Sequence, residues 1–229
     1  CALPISSARE LIHAGLQNLD EARSLFRQLS ASGFDAARCG LLLDALQHVC
    51  DPDVALRNLV DIVNAQVSQG RALDDIMPDD TAFRQLVAVL GVSDAMGKLM
   101  RFRPDLVQAA ATDHCNSHLY NHDQRRAHVL ESVGADPNDR MSPTATMDLA
   151  DAATALRRTY RNQLAAIIAQ DTMSDDPIAL QPRISSELSD LADAALEGAL
   201  AIARHEITGS EHWRFAIIGM GKLGERELN

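Results

Sequence analysis

The chain has few residues of several kinds, and each scarcity excludes a class of protein. Phe, Trp and Tyr together make up only 3% of the 229 residues, whereas Ala and Leu dominate the apolar residues. This composition favours helices over sheets. No run of 18 or more apolar residues occurs, so the sequence predicts no transmembrane helix. No basic segment followed by an apolar one marks a signal peptide at the N-terminus.

Basic residues and paired cysteines are also scarce. The formal net charge is -11, and a nucleic-acid-binding surface needs Lys and Arg side chains to replace the counterions of phosphates. We therefore expect no nucleic-acid partner, although the local charge still permits a nucleotide site. The four cysteines, Cys1, Cys39, Cys50 and Cys115, include no C-x-x-C pair, which disfavours a zinc ribbon or a redox motif. We expect free thiols in a reducing cytoplasm.

Capping signals predict a series of amphipathic helices in the first half of the chain. Ser7, Asn18 and Asp51 each stand where an N-cap residue precedes apolar side chains at helical spacing. Gly33 and Gly91 stand where a glycine ends a helix. These signals predict a mainly α fold, built as a multi-helix bundle.

The second half predicts two long helices after a polar stretch rich in Gly and Pro. The helices are expected over residues 149–170 and 186–206, with a break between them marked by Asp175-Asp176-Pro177 and Gln181-Pro182. The polar stretch is the candidate boundary between two units. We predict an N-terminal helical domain over residues 1–140 and a second unit over residues 148–229.

The most informative segment is the last one. An apolar run over residues 215–218 leads into the sequence GMGKLG at residues 219–224. A strand that delivers a Gly-rich turn is a common phosphate cradle, because glycines let backbone N–H groups approach the oxygens. We therefore predict a single C-terminal strand and a phosphate- or nucleotide-binding turn. Its predicted ligand-binding residues are Gly219, Gly221, Lys222 and Gly224.

The spacing of the glycines leaves other interpretations open. Gly219-x-Gly221-x-x-Gly224 also matches the dinucleotide-binding fingerprint, which needs a following helix and an acidic residue about 20 positions on. A helical domain ahead of a dinucleotide-binding oxidoreductase domain is therefore an alternative. A P-loop is excluded, because Leu223 stands where that motif needs Ser or Thr. The simplest alternative is a tight turn in which Lys222 is a solvated charge.

The residues around the turn resemble the glycine motif of the glutamine synthetase adenylyltransferases. In that family an apolar strand leads into Gly-Met/Leu-Gly-Lys-Leu-Gly-Gly-Arg-Glu-Leu-Asn, and a Ser-Asp-x-Asp string follows within a few residues. The chain matches this motif throughout residues 219–229 except at Glu225, where the family has Gly or Ala. A long acidic side chain there can alter the turn. The string LSDLADA at residues 188–194 and the Arg-rich segment at 156–171 also resemble the family, whereas the first 80 residues share only helical character.

The resemblance implies a bifunctional nucleotidyltransferase that regulates glutamine synthetase. Members attach AMP from ATP to a tyrosine of glutamine synthetase, and they remove it by phosphorolysis with inorganic phosphate, which yields ADP. The turn would open the α/β nucleotidyltransferase domain of the deadenylylating half. The resemblance further implies Mg²⁺ held by carboxylates beyond Asn229, a cytoplasmic location without a membrane, and a PII-type signalling protein as a second candidate partner.

The two ends of the sequence suggest an excised segment. The chain starts at Cys1 without an initiator Met and stops five residues after Gly224. We expect a segment of a longer protein that is inactive alone and holds no catalytic residue of its own. A purely helical interaction module that binds glutamine synthetase or a regulatory protein is the alternative function.

Two weaker patterns remain. His114, His118 and His122 recur at every fourth residue, a spacing that places three imidazoles on one helix face and suits zinc. The residues around them are poor helix formers, and the resembling family has no metal signature there, so a solvated segment is the favoured interpretation. A set of arginines within the first long helix suits either an acidic ligand or a solvated face; its members are Arg157, Arg158 and Arg161.

Overall fold

The computed structural model describes residues 7–111, 120–174, 176–207, 209 and 215–229, with the backbone alone at residue 75. Within these residues the chain forms eleven helices and no strand, which confirms the mainly α prediction. The helices are α1 (Ala8–His13), α2 (Leu19–Ala31), α3 (Ala36–Leu46), α4 (Pro52–Ser68), α5 (Leu73–Ile76), α6 (Asp80–Val92), α7 (Asp94–Met100), α8 (Pro104–Ala111), α9 (His122–Ser132), α10 (Leu149–Thr172) and α11 (Pro177–Glu206). The predicted C-terminal strand is not confirmed, since residues 215–220 form neither helix nor strand.

The predicted helix starts are confirmed by their hydrogen bonds. Ser7 and Glu10 form a reciprocal capping box at α1. The Asn18 side chain accepts the N–H of Glu21 at α2, and Asp51 does the same for Val54 at α4, where Pro52 occupies the first turn. Each bond satisfies an N–H that has no partner inside the helix, so these starts follow from local chemistry alone.

Gly91 does not end a helix, contrary to the prediction from its position. It lies inside α6, and a Cβ placed on it would come 2.9 Å from Cβ of Val49 and 3.3 Å from the carbonyl oxygen of Asp51. The glycine therefore allows another part of the chain to approach α6 closely. The helix ends after Val92 because Ser93 adopts an extended conformation and caps α7 through the N–H of Met96.

The predicted break between the two long helices lies at Asp176-Pro177 and not at Pro182, because α11 begins earlier than predicted and continues through Pro182. Asp176 is the N-cap residue, its side chain accepts the N–H of Ala179, and Pro177 stands in the first turn. Pro182 deprives the carbonyl of Ile178 of its helical partner. Ile178 is 86% exposed, so water can satisfy that carbonyl and the helix persists.

The chain divides into two compact units. Unit 1 consists of residues 1–116 with Ile168–Met173, and unit 2 consists of Ser117–Ile167 with Ser174–Asn229. The domain ranges predicted from the sequence, 1–140 and 148–229, stay a prediction.

Unit 1 is built around α4 and α6, which pack against each other. α2, α5 and α7 also contact α4, and α3, α7 and α8 contact α6. The core between these helices is mostly aliphatic and aromatic, and Nδ2 of Asn58 donates to the buried carbonyl of Leu90 within it. Its fully buried side chains include Leu56, Leu59, Ile62, Phe83, Leu86 and Leu90. Cys39 and Cys50 carry free thiols, as predicted, whereas Cys1 and Cys115 lie outside the described residues.

Unit 2 is built around the contact of α9 with α11. One buried cluster consists of Leu130, Val133, Ala135, Ala145, Ala152, Ala201 and Ile202. A second cluster joins α10 and α11 through Ile167, Ile184 and Leu191. Among the helices that the structure describes, none is long and apolar enough to cross a membrane.

Candidate phosphate-binding site

The predicted ligand-binding residues lie together in one exposed turn after residue 218. The N–H of Glu225 donates to the carbonyl of Gly221 at 2.9 Å, and the N–H of Glu227 donates to the carbonyl of Lys222 at 2.7 Å. The N–H of Arg226 donates to Leu223 at 3.2 Å. The turn is thus closed by the N–H groups of residues 225–227, and the N–H groups of Gly221 and Lys222 are not used in closing it.

Two of the glycines are required by the backbone geometry. Gly221 has φ +57°, the left-handed region that disfavours side chains. A Cβ on Gly224 would lie 2.7 Å from the carbonyl oxygen of Gly219, a distance that no side chain tolerates. The turn therefore depends on glycine for its shape, and glycines allow backbone N–H groups to approach an anion closely.

Lys222 has a partner within the same motif. Its Nζ donates a hydrogen bond of 2.6 Å to the side-chain oxygen of Asn229. Both residues are exposed, so the ammonium group of Lys222 stays accessible to a ligand at the turn. The structure thus brings all four predicted site residues together and adds Asn229 to them.

Arg226 connects the turn to the middle of α11. Its guanidinium forms an ion pair with the carboxylate of Asp190 and donates to the hydroxyl of Ser186 at 2.9 Å. It also donates to the carbonyl of Ser186 at 3.3 Å. Arg226 is the only residue other than glycine with a positive φ among the described residues, at +58°. Because such a conformation disfavours long side chains, the contacts on α11 offset a local strain.

Asp190 receives a second hydrogen bond from another helix. Nδ1 of His122, the first residue of α9, lies 2.8 Å from Oδ1 of Asp190, the oxygen that also contacts Arg226. Burial alone would raise the pKa of Asp190, but the hydrogen bonds and charges of Arg226 and His122 outweigh burial and lower that pKa below its usual 3.8. Asp190 is therefore an ionised acceptor that joins α9, α11 and the turn.

The same helices carry a buried polar network that the sequence did not reveal. Arg125 is 1% exposed; it pairs with Glu187 and donates to the side-chain oxygen of Gln163 at 2.6 Å. Arg126 binds both carboxylate oxygens of Glu197 at 2.7 Å. Arginines near the start of a helix are usually exposed to solvent, so the sequence around Arg125 and Arg126 does not predict their burial. Their acidic partners, Glu187 and Glu197, lie 62 and 71 residues further along the chain.

The weaker sequence patterns gain no support. Of the predicted histidine set, His122 is exposed and bonded to Asp190, whereas His114 and His118 lie outside the described residues. Arg157 and Arg158 are exposed and Arg161 is half-buried. In the part of the chain that the structure describes, no group of three or more His, Cys, Asp or Glu side chains is arranged to hold a metal ion.

Comparison with known proteins identifies the class to which this helical chain and its glycine turn belong. Residues 83–229 match the family described as glutamate-ammonia ligase adenylyltransferase. The chain belongs to this family. The dinucleotide-binding interpretation of the glycine spacing is thereby set aside.

Curated relatives carry one particular name. A protein of Bifidobacterium longum (strain DJO10A), named bifunctional glutamine synthetase adenylyltransferase/adenylyl-removing enzyme, is 66% identical over 97% of the chain and 21% of its own length. Proteins of the same name from Cutibacterium acnes and Leifsonia xyli are 30% and 33% identical over 96% of the chain and 22% of their own lengths. The chain thus spans about a fifth of the curated relatives that it matches. No solved structure matches it significantly.

Proposed function

We propose that the 229 residues of this chain belong to a bifunctional glutamine synthetase adenylyltransferase/adenylyl-removing enzyme and carry the phosphate-binding turn of its adenylyl-removing half. The observation that carries the proposal is the turn at residues 219–224. Gly221 and Gly224 are required by the backbone, the N–H groups of Gly221 and Lys222 are not used to close the turn, and the sequence of the turn resembles the family motif.

In the proposed reaction, inorganic phosphate attacks the phosphorus of the adenylyl group on a tyrosine of glutamine synthetase. A new P–O bond forms, the bond between phosphorus and the tyrosine oxygen breaks, and ADP leaves while the tyrosine takes up a proton. The opposite modification transfers AMP from ATP to the same tyrosine and belongs to the second catalytic domain of the full protein.

The turn binds and orients phosphate oxygens in this proposal. The backbone N–H groups of Gly221 and Lys222 donate to them, and the ammonium of Lys222 adds a positive charge that opposes the overall charge of -11. Residues 215–218 form the first strand of the nucleotidyltransferase domain in the full protein, where further strands are available to pair with them. The exposed side chains of Phe215 (64%) and Ile218 (81%) agree with a segment that packs against more of the domain.

Mg²⁺ and glutamine synthetase belong to the same proposal. The metal would neutralise charge on the transferred phosphoryl group, and the family resemblance implies carboxylate ligands that follow Asn229 in the full protein. Glutamine synthetase is the protein substrate, and a PII-type protein is a candidate regulator that binds the helical part of the chain. The enzyme acts in the cytoplasm in this proposal.

The proposal is tested with the full-length protein and glutamine synthetase that has been adenylylated beforehand. We expect ADP to appear only when inorganic phosphate is present, in an amount equal to the AMP lost from the tyrosine. Adenylylation of unmodified glutamine synthetase with ATP is the second assay. A protein that binds glutamine synthetase but catalyses neither reaction would be an interaction module, and the proposal would be wrong.

A further inference from the structure

We infer that Asp190 and Arg226 form a clamp that positions the phosphate-binding turn, so that the side chain of Asp190 on α11 sets the affinity of the enzyme for inorganic phosphate. The inference rests on the proposed function and adds two positioning residues to it. Neither residue is expected to touch phosphate, since their charges are already paired with each other.

The first argument is the position of Arg226 in the turn. Its N–H closes the turn on Leu223, two residues after the left-handed Gly221 and next to the N–H groups of Glu225 and Glu227 that close the other two bonds. A displacement of Arg226 therefore displaces all three closing bonds. The φ of +58° at Arg226 shows that the backbone there does not hold this conformation by preference.

The second argument is the contrast between the two ends of the clamp. The side chain of Asp190 is 11% exposed, whereas that of Arg226 is 43% exposed. Asp190 sits in the middle of a helix of 30 residues and also accepts from His122 on α9, so it is fixed from two sides. The exposed turn is thus tied to a fixed point of unit 2, and such support from a packed helix holds a binding turn in one geometry.

The third argument is the chemistry of the tie. Arg226 donates to Ser186 and Asp190, which are one helical turn apart on α11, and a guanidinium presents several donors in one plane. Ser186 and Asp190 together therefore fix the direction of the arginine as well as its distance. A carboxylate at position 193 also approaches Arg226, but its distance is 3.9 Å and it is 44% exposed.

The test compares variants of the full-length enzyme in phosphate-dependent deadenylylation. Asp190→Asn removes the charge of the side chain with little change of its shape. We expect the KM for inorganic phosphate to rise about tenfold and kcat to change less than twofold. The reason is that a turn that binds phosphate in the ground state contributes mainly to KM. Asp193→Asn is the matched control, because it makes the same change on the same helix; we expect its KM to change less than twofold.

A double-mutant cycle separates positioning from general stability. Arg226→Gln should raise the KM for phosphate as Asp190→Asn does, Arg226→Lys should restore part of it, and the double variant Asp190→Asn/Arg226→Gln should be no worse than either single one. Adenylylation by the same preparations should change little, and circular dichroism at the assay temperature should show that all variants stay folded. Equal KM values for wild type and Asp190→Asn would overturn the clamp, and so would a parallel loss of both activities with a lower melting temperature. A wild-type enzyme without phosphate-dependent activity would instead overturn the proposed function.

Discussion

Arg125 of α9 and Glu187 of α11 form an ion pair that is almost completely removed from solvent. Their side chains are 2% and 10% exposed, and Arg125 also donates to Gln163 of α10. Three helices of unit 2 thus meet at one buried positive charge. Such a pair adds little net stability over apolar packing, but the loss of one partner leaves a charge without compensation.

The first prediction concerns this pair. Glu187→Gln should destabilise unit 2 by about 3–5 kcal/mol, because Arg125 keeps its charge and loses its counter-ion. Urea unfolding followed by circular dichroism measures the loss. Arg183→Ala is the control, since Arg183 is 56% exposed and lies 3.7 Å from the same carboxylate; we expect a change of about 0–1 kcal/mol. Equal effects of the two substitutions would contradict the buried role of the pair.

The second prediction compares two glycines in helices of unit 1. Gly91→Ala should lower stability by about 1–3 kcal/mol, because the new methyl group meets Cβ of Val49 and the carbonyl of Asp51. Gly40→Ala in α3 meets nothing within 4 Å and should raise stability by about 0.5–1 kcal/mol through helix propensity. Thermal unfolding of both variants shows whether the steric contact or the helix propensity of alanine dominates at each position. A stabilising Gly91→Ala would show that the close approach at α6 is absent.

The third prediction is a dependence of stability on acid. The pKa of Asp190 is lowered in the folded chain, so its contribution is present above the unfolded pKa of about 3.9 and is lost as the pH falls further through the folded pKa. The stability difference between wild type and Asp190→Asn should therefore be constant from about pH 7 to 5 and shrink below about pH 4. Urea unfolding at several pH values measures it; a difference that grows on acidification would contradict the ion pair with Arg226.

The fourth prediction concerns the 229 residues alone. They hold the turn but, in the described part, no metal-binding cluster, so we expect no release of ADP from adenylylated glutamine synthetase by this segment. The full-length protein serves as the positive control under the same conditions. Measurable deadenylylation by the segment would show that the chain supplies the missing chemistry itself.

Local features of this fold were predictable from the sequence, whereas long-range ones were not. The caps at Ser7, Asn18 and Asp51 depend on residues three positions away, so their pattern is visible along the chain. Gly91 was wrongly predicted to end α6, because a glycine is needed there for a contact with the segment before α4. Pro182 was wrongly predicted to break the helix, because the carbonyl that it leaves without a helical partner belongs to the exposed Ile178.

In the candidate site, too, the local features were predictable from the sequence and the long-range contacts were not. The glycines and Lys222 were predicted, since the shape of a turn is encoded by consecutive residues. The tie from Arg226 to Asp190 joins positions 36 residues apart, and no spacing rule connects an arginine in a turn to a helix that ends earlier. The string LSDLADA at residues 188–194 gains a structural reason, because its first aspartate, Asp190, accepts a hydrogen bond from Arg226 of the turn.

The most direct test of the phosphate site is Lys222→Ala in the full-length enzyme, with phosphate saturation curves for deadenylylation and ATP-dependent adenylylation measured in parallel. Lys98→Ala is the matched control, because Lys98 is the other lysine of the chain and is exposed on α7. We predict that Lys222→Ala lowers kcat/KM for phosphate by about 10- to 100-fold, as expected for the loss of a charged hydrogen bond, and leaves adenylylation unchanged. Wild-type kinetics in both directions would remove Lys222 from the site and contradict the assignment of the turn.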